Sequence, residues 1–435
     1  MRPWMLLVVG SLVLTAVVIA VVAHSGSSTA TGGRTTPAKG SVWKDPEGNV
    51  CAETDAHFGD HWPTSGLNPN RVWCPASVPK AQLVPRERSR WVVRDLGTLG
   101  GGQDSHAVAI NERGQVVGVS SAKDTYENGD HVAHAFLWQK GRMTDLGTLP
   151  GSQTSTAAAI NDRADVIGDS PRPTGGVRSF VWQKGKLTSF GDGTIAAALN
   201  DRGQIVVDGP HPFLWQDGRR TPLGQWASRV FAINERGQVV GSKFTNGQRH
   251  AFLWENGRLT DLGALGGGTH DPVAINDRSQ VIGNAGVATG RVPFLWENGR
   301  MRNLGTLGGS KAEVSAINNR GQIIGTSYTA AGHQHAFLWQ NGKMRDLGTL
   351  GGASSGAGAI NERGQIVGSS YPPSGPQGWA SPLAFVWENG KMTRLPVLPG
   401  CTGSGAGDIS EQGQIVGSCR IGIHEHAVLW TLRSG

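Results

Sequence analysis

Five histidines recur in one phrase of this chain, at His134, His211, His250, His335 and His426. Imidazole can bind a metal or move a proton near neutral pH, so they are the first residues to test for chemistry. A metal needs its ligands within about 2.0–2.1 Å of one ion, whereas one histidine per repeat at one structural position keeps the copies far apart. A repeated hydrogen bond at the start of a strand is the reading that the spacing favours. Other candidates are scattered. Asp104, His106, His270 and Asp271 fall in loops, and Asp55, His57, Asp60 and His61 lie between two cysteines near the N-terminus. Asp408 is the only acid in the strand expected to line a central channel. Hydrolysis by paired carboxylates needs two acids that converge, and general base catalysis needs a base beside a nucleophile; neither pattern is visible along the chain. No phosphate-binding loop, H-E-x-x-H, G-x-S-x-G or EF-hand spacing appears. No catalytic residue, metal or cofactor is therefore expected.

The elements that carry these residues are repeats. The phrase is approximately A-I-N-x-x-G-Q-V-V-G, a variable stretch, then H-A-F-L-W-x-x-G-x-x-x-D-L-G-T-L-G-G. Its asparagine slot is filled by Asn111, Asn161, Asn200, Asn234, Asn276, Asn318, Asn361 and finally Ser410. Its tryptophan slot is filled by Trp138, Trp182, Trp215, Trp254, Trp296, Trp339, Trp387 and Trp430, eight copies at a mean period near 42 residues. That period belongs to propellers or helical arrays. Within one period, four short runs rich in apolar and β-branched residues are divided by glycine-bearing turns, for example Asn111-Glu112-Arg113-Gly114 and Glu255-Asn256-Gly257. Four strands joined by tight hairpins make one propeller blade. The chain enters the array on a fourth strand, residues 91–97, and leaves it on a third, Ala427-Val428-Leu429-Trp430. The expected fold is thus all-β: an eight-bladed β-propeller of four-stranded blades, its ring closed by the N-terminal strand. An open solenoid is the alternative. The tryptophans are expected to pack between blades.

The phrases H-A-F-L-W, A-I-N-x-x-G-Q-V-V-G and D-L-G-T-L-G-G, recurring in phase over residues 91–435, resemble the bacterial extracellular HAF-repeat family. His-Ala-Phe stands intact at His134, His250 and His335, with departures such as His211-Pro212-Phe213 and His426-Ala427-Val428. The resemblance implies export and a repeat scaffold, and it implies no reaction.

Composition agrees with a turn-rich scaffold. Glycine supplies 65 of 435 residues, about twice its usual share, which disfavours a helical array and requires many turns. Charged residues are 17% and the net charge is +7, mildly basic but without the Lys/Arg-dense segments of a nucleic-acid binder, so no nucleic-acid partner is expected. Residues 5–23 carry no charge; at 1.5 Å per residue such a helix would span about 28 Å, close to a hydrocarbon core of about 30 Å. Residues 1–23 therefore read as a signal peptide or a membrane anchor, the chain's one expected contact with a membrane, and either reading places the rest outside the cytoplasm. A Ser/Thr/Gly-rich linker follows over 24–40, and 41–90 is a small cysteine-bearing segment that reads as a cap or stalk. Two local disulfides, Cys51 with Cys74 and Cys401 with Cys419, are the simplest of three pairings.

Two surfaces of the disc are candidates for binding. Arginines in the first-hairpin turns, from Arg113 to Arg363, and cations in the second-hairpin turns, from Arg142 to Lys391, fall on one face. Acids such as Glu112, Asp162 and Glu235 are expected to neutralise part of that charge, and the remainder would attract an anionic cell-surface polymer. The opposite face carries loops of variable length. Tyr126, Phe244, Tyr328, Tyr371 and Trp379 are expected in those loops, where exposed aromatics on a rigid scaffold suit a protein or glycan partner. A non-enzymatic binding or adhesion scaffold is the expectation; a secreted hydrolase or lyase acting on a polymer and a purely structural envelope protein are the alternatives.

Overall fold

The computed structural model describes the strands Val42–Lys44 and Val50–Ala52 and residues 90–433, apart from short loop segments at 126–130, 174, 225–227, 246, 266–267, 288–289 and 374–380. The chain divides into two units, 17–89 and a second that includes 90–435. In the first, Val42–Lys44 pairs antiparallel with Val50–Ala52, with Trp43 opposite Cys51. Cys74 and the Cys51 side chain lie outside the described residues, as do residues 1–40. Among the described residues no helix is long and apolar enough to cross a membrane.

The second unit is an eight-bladed β-propeller. Seven blades are four-stranded antiparallel meanders, spanning 105–145, 156–192, 195–222, 229–261, 270–303, 308–346 and 355–394, each with strand order equal to chain order. The eighth takes three strands from Cys401–Ile409, Ile415–Ile421 and His424–Leu432 and its outermost from Trp91–Asp95. Trp91 pairs with Leu432 and Asp95 with Val428, so the N-terminal strand closes the ring as the repeat phase predicts. Closure leaves no blade with an open inner seam, which is how a propeller protects its sheet edges.

The core is a set of wedges between neighbouring blades. In one, Val117, Ala135 and Leu137 of blade 1 meet Ala157, Ile160, Val166 and Phe180 of blade 2. In another, Val416, Ala427 and Leu429 of blade 8 meet Ala107, Ile110 and Phe136 of blade 1. The second and third strands of each blade are buried on both faces while the outermost strands are largely exposed, which explains runs such as FLW without strict alternation. The tryptophans occupy these wedges, as expected; Trp430 is fully buried. The glycine of V-V-G has a packing cause. Every innermost strand carries a bulge, as between Ala107 and Ala109, which drives its backbone toward the second strand. A Cβ on Gly118 would stand 1.9 Å from the His106 carbonyl oxygen, and one on Gly241 would stand 2.5 Å from the Phe252 ring. A methyl group cannot be accommodated there.

Two belts of hydrogen bonds run around the channel on the tight-turn face. In each of blades 1–7 the asparagine Oδ1 accepts backbone N–H groups of its own turn, as Asn234 does from Arg236 and Gln238 at 3.1 and 2.9 Å. The same residue's Nδ2 donates to the carbonyl oxygen of the next blade's equivalent residue, at 2.9–3.1 Å from Asn111 through Asn361. The next position builds the second belt: its side chain accepts the backbone N–H of the preceding blade's turn at 2.6–2.9 Å, in the order Glu112, Asp162, Asp201, Glu235, Asp277, Asn319, Glu362, Glu411 and back to Glu112. The seven acids of this belt were expected only to neutralise arginine; the eighth member is Asn319. They are structural acceptors, each joining the turns of two blades.

Blade 8 departs from the asparagine pattern, and its departures compensate one another. Ser410 is too short to reach blade 1. Two residues earlier on the innermost strand, Asp408 replaces the alanine of the other seven blades, and its Oδ2 accepts the blade 1 Ile110 N–H at 3.0 Å while Oδ1 accepts Ile409 N–H at 2.8 Å. The acid that looked like the sole channel candidate for catalysis thus bridges the closing seam. Burial raises its pKa to about 6 against those two hydrogen bonds, with the Glu112 charge adding to the rise.

Two outcomes are expected. Asn234→Ala removes one inter-blade donor and the oxygen that accepts two turn N–H groups, and should lower unfolding free energy by about 3 kcal/mol, read by chemical denaturation. Asp408 titrates higher in the folded ring than in the unfolded chain, so its contribution is fully present below about pH 4 and is lost as pH rises through about 6. The stability of wild type relative to Asp408→Asn should therefore fall by about 2 kcal/mol between pH 4 and pH 8 in paired melts; a pH-independent difference would contradict the assignment.

Candidate functional site

The repeated histidine is a latch. His134 Nδ1 lies 2.7 Å from Asp145 Oδ2, His335 Nδ1 2.8 Å from Asp346 Oδ2 and His426 Nδ1 2.9 Å from Asp95 Oδ2. The other carboxylate oxygen accepts the N–H of the glycine in D-L-G, for example Gly147 at 2.7 Å. Burial raises the Asp145 pKa, but the His134 hydrogen bond, the Gly147 N–H and the His134 charge together carry it below its ordinary value. In blade 4, Lys243 takes Asp261 at 2.9 Å and His250 stands back at 3.7 Å. His211 is exposed, and Pro222 occupies the aspartate slot of its blade. In blades 1, 6 and 8 the histidine thus ties the third strand to the crossing that follows the fourth, a local hydrogen bond of the kind the spacing suggested.

The face bearing the second-to-third-strand hairpins is where unsatisfied chemistry collects. Among the described residues, four large hydrophobic side chains are exposed: Ile423 at 89%, Phe244 at 64%, Val92 at 40% and Tyr371 at 38%. Val92 lies on the outermost strand of blade 8; the other three stand on this face, in blades 8, 4 and 7. Tyr371 follows the strand Ile366–Ser370, in a loop as expected. Phe244 and Tyr328 do not lie in loops. Pairing of the second and third strands continues outward to Thr245 opposite Gln248 and to Tyr328 opposite Gln334, so both aromatics sit on strand tips. Phe244 remains exposed there, while Tyr328 is half-buried beside Gly309. Tyr126 and Trp379 lie outside the described residues.

A polar cluster marks the seam between blades 8 and 1 on the same face. Asp104 Oδ1 accepts the Glu425 N–H at 2.9 Å, and its Oδ2 faces His424 Nδ1 at 3.4 Å. Glu425 in turn faces His106 Nδ1 at 3.4 Å through one oxygen and Arg420 at 3.4 Å through the other. The His106 hydrogen bond is the main influence on Glu425 and lowers its pKa against partial burial, with the His106 charge and Arg420 adding to the fall. The exposed Ile423 forms the tip of the same hairpin, which the Cys401–Cys419 disulfide fastens to the inner strand with a Cα–Cα distance of 5.9 Å. That is one of the two expected bridges.

Asp104 and His106 thus meet blade 8, not His270 and Asp271. His270 is fully buried in blade 5, where its Nε2 meets the Leu265 backbone and burial lowers its pKa; Asp271 pairs with Arg249 at 3.3 Å. The cluster escaped sequence reasoning because it depends on ring closure. Its members are more than 300 positions apart, and only the match of the chain's two ends predicts that they are neighbours. Both carboxylates are committed to histidine, arginine or backbone partners. Among the described residues no group of three or more His, Cys, Asp or Glu is placed to hold a metal ion.

No protein-family model and no curated protein matches the chain. Solved structures do. Dipeptidyl peptidase 4 of Porphyromonas gingivalis is similar over 77% of this chain and 59% of its own, at 8% identity and a TM-score of 0.47. The acylaminoacyl peptidase of Pyrococcus horikoshii matches 64% of this chain and 59% of its own, at 13% identity and 0.35. TolB from Acinetobacter baumannii matches 63% of this chain and 79% of its own, at 11% identity and 0.35. This chain spans less than two thirds of the length of either peptidase, and at these identities the likeness is one of fold alone.

Proposed function

We propose that this chain is an exported, non-enzymatic binding or adhesion scaffold that presents its hairpin face to an extracellular protein or glycan. The observation that carries the proposal is that, of the four exposed large hydrophobic side chains among the described residues, Ile423, Phe244 and Tyr371 stand on that one face. Large apolar side chains held out by a rigid frame lose little conformational entropy on binding, and such residues supply most of the affinity at protein and glycan interfaces. The seam cluster beside Ile423 adds carboxylate, imidazole and guanidinium groups that would orient a polar ligand against the apolar contact. The Cys401–Cys419 disulfide and the uncharged run at residues 5–23 support an extracellular location, secreted or anchored. The HAF-like repeat phrases agree with it.

The triple variant Phe244→Ala, Tyr371→Ala, Ile423→Ala should bind hits from protein and glycan arrays at least about tenfold more weakly while melting with the wild type, because each truncated anchor is worth about 1 kcal/mol or more and none is core. Unchanged binding would remove the face from the proposal. Release of shortened product from a bound polymer would replace the scaffold by a hydrolase or lyase, and the absence of any saturable ligand would leave a structural envelope role.

A further inference from the structure

The tight-turn face carries two rings of hairpins with different uses of charge. In the inner ring the acids hold backbone amides, and several arginines reach the next blade, as Arg202 does to the Glu235 carbonyl at 3.3 Å and Arg320 to that of Glu362 at 3.2 Å. Those charges are structural. The outer ring is different. Its tips carry exposed cations, none within ion-pair distance of a carboxylate among the described residues from Arg142 through Lys391. They are unevenly distributed. In blades 4, 5 and 7 a glutamate, Glu255, Glu297 or Glu388, precedes the turn, whereas blades 1 and 2 have Gln139-Lys140-Gly141-Arg142 and Gln183-Lys184-Gly185-Lys186. Blade 3 adds Arg219 beside one acid, Asp217, and the chain crossing of blade 8 adds exposed Arg433, bonded through its N–H to the Arg90 carbonyl. Arg90 itself pairs with Glu388 at 3.2 Å.

The backbone shows that lysine at two of these positions is not a folding requirement. All seven outer turns need a left-handed residue before glycine, and blades 3–7 use aspartate or asparagine, which tolerate it. Lys140 and Lys184 adopt φ of 49°, a conformation that lysine takes at a cost. Strain kept against the local preference marks a residue selected for something other than stability.

We infer that the sector formed by Arg433, Lys140, Arg142, Lys184, Lys186 and Arg219 docks on the surface of a bilayer carrying anionic lipid, holding the tight-turn face down and the hairpin face outward. The cations are spaced one hairpin apart along the rim, which suits an extended charged surface; a single small anion needs converging donors. The chain reaches the ring at Arg90, at the edge of this same sector, after the uncharged run of residues 5–23. The inference is independent of which partner the hairpin face takes.

Full-length protein is mixed with phosphatidylcholine vesicles with and without phosphatidylglycerol, and its lysines are labelled with an amine reagent and read by mass spectrometry. Labelling of Lys140, Lys184 and Lys186 should fall several-fold on the anionic vesicles only, with Lys343 and Lys391 little changed and the protection lost in high salt. Lys140→Asn with Lys184→Asn should raise the melting temperature yet weaken docking about 25-fold, read as lost protection of Lys186. Equal labelling on both vesicles, or equal protection of all five lysines, overturns the inference. Protection by soluble dextran sulfate but not by vesicles overturns it in favour of an anionic polymer. Protein that leaves neutral vesicles but is protected on anionic ones refutes anchoring by residues 5–23 and sustains the docking sector.

Discussion

Everything in this ring depends on one side chain per blade reaching the next. Blades are independently hydrogen-bonded meanders, and apolar wedges alone would let neighbouring sheets slide, because dispersion and burial are not directional. The asparagine amide removes that freedom. Its oxygen ties down its own turn, and its nitrogen sets the distance to the adjoining turn within a hydrogen bond's tolerance. Repeated seven times, with Asp408 serving at the seam, the same contact defines the radius of the channel. The carboxylate belt beside it sets the rotation of each turn about that radius.

Much of this architecture was legible in the residues. Period, strand content and ring closure followed from the phase of H-A-F-L-W and D-L-G, since the match between the two chain ends is visible without coordinates. The histidine latch was also readable, because a residue recurring at one structural position in five blades must satisfy something local. The carboxylate belt was not. An acid on a tight turn looks solvated in sequence, and Glu235 is revealed as an acceptor only when the Asp201 N–H, in the turn of another blade, is placed 2.9 Å away. Phe244 and Tyr328 were misplaced for a related reason. The strands outrun the repeated phrase, and nothing in V-G-S-K-F or I-G-T-S-Y states where pairing stops.

The two faces divide the work by how tightly their residues are committed. On the tight-turn side, short invariable hairpins are consumed in joining blades, and only the outer tips remain available to solvent. On the other side, hairpins of unequal length project beyond the shared framework, so a side chain such as Ile423 can change without disturbing a belt. The seam of blades 8 and 1 carries both kinds of departure: Ser410 and Asp408 beneath, and the cluster of Asp104, His106, His424 and Glu425 above.

The outermost strand of the last blade is the first strand of the ring to be synthesised. Trp91 waits for Leu432, so the nascent chain holds its closing edge unpaired through the making of every intervening blade. Assembly therefore has an order imposed by connectivity: each blade gains an apolar wedge only when its neighbour has been made, and the circle locks only when the final repeat arrives. Once it arrives, the first and last strands of the ring hold one another.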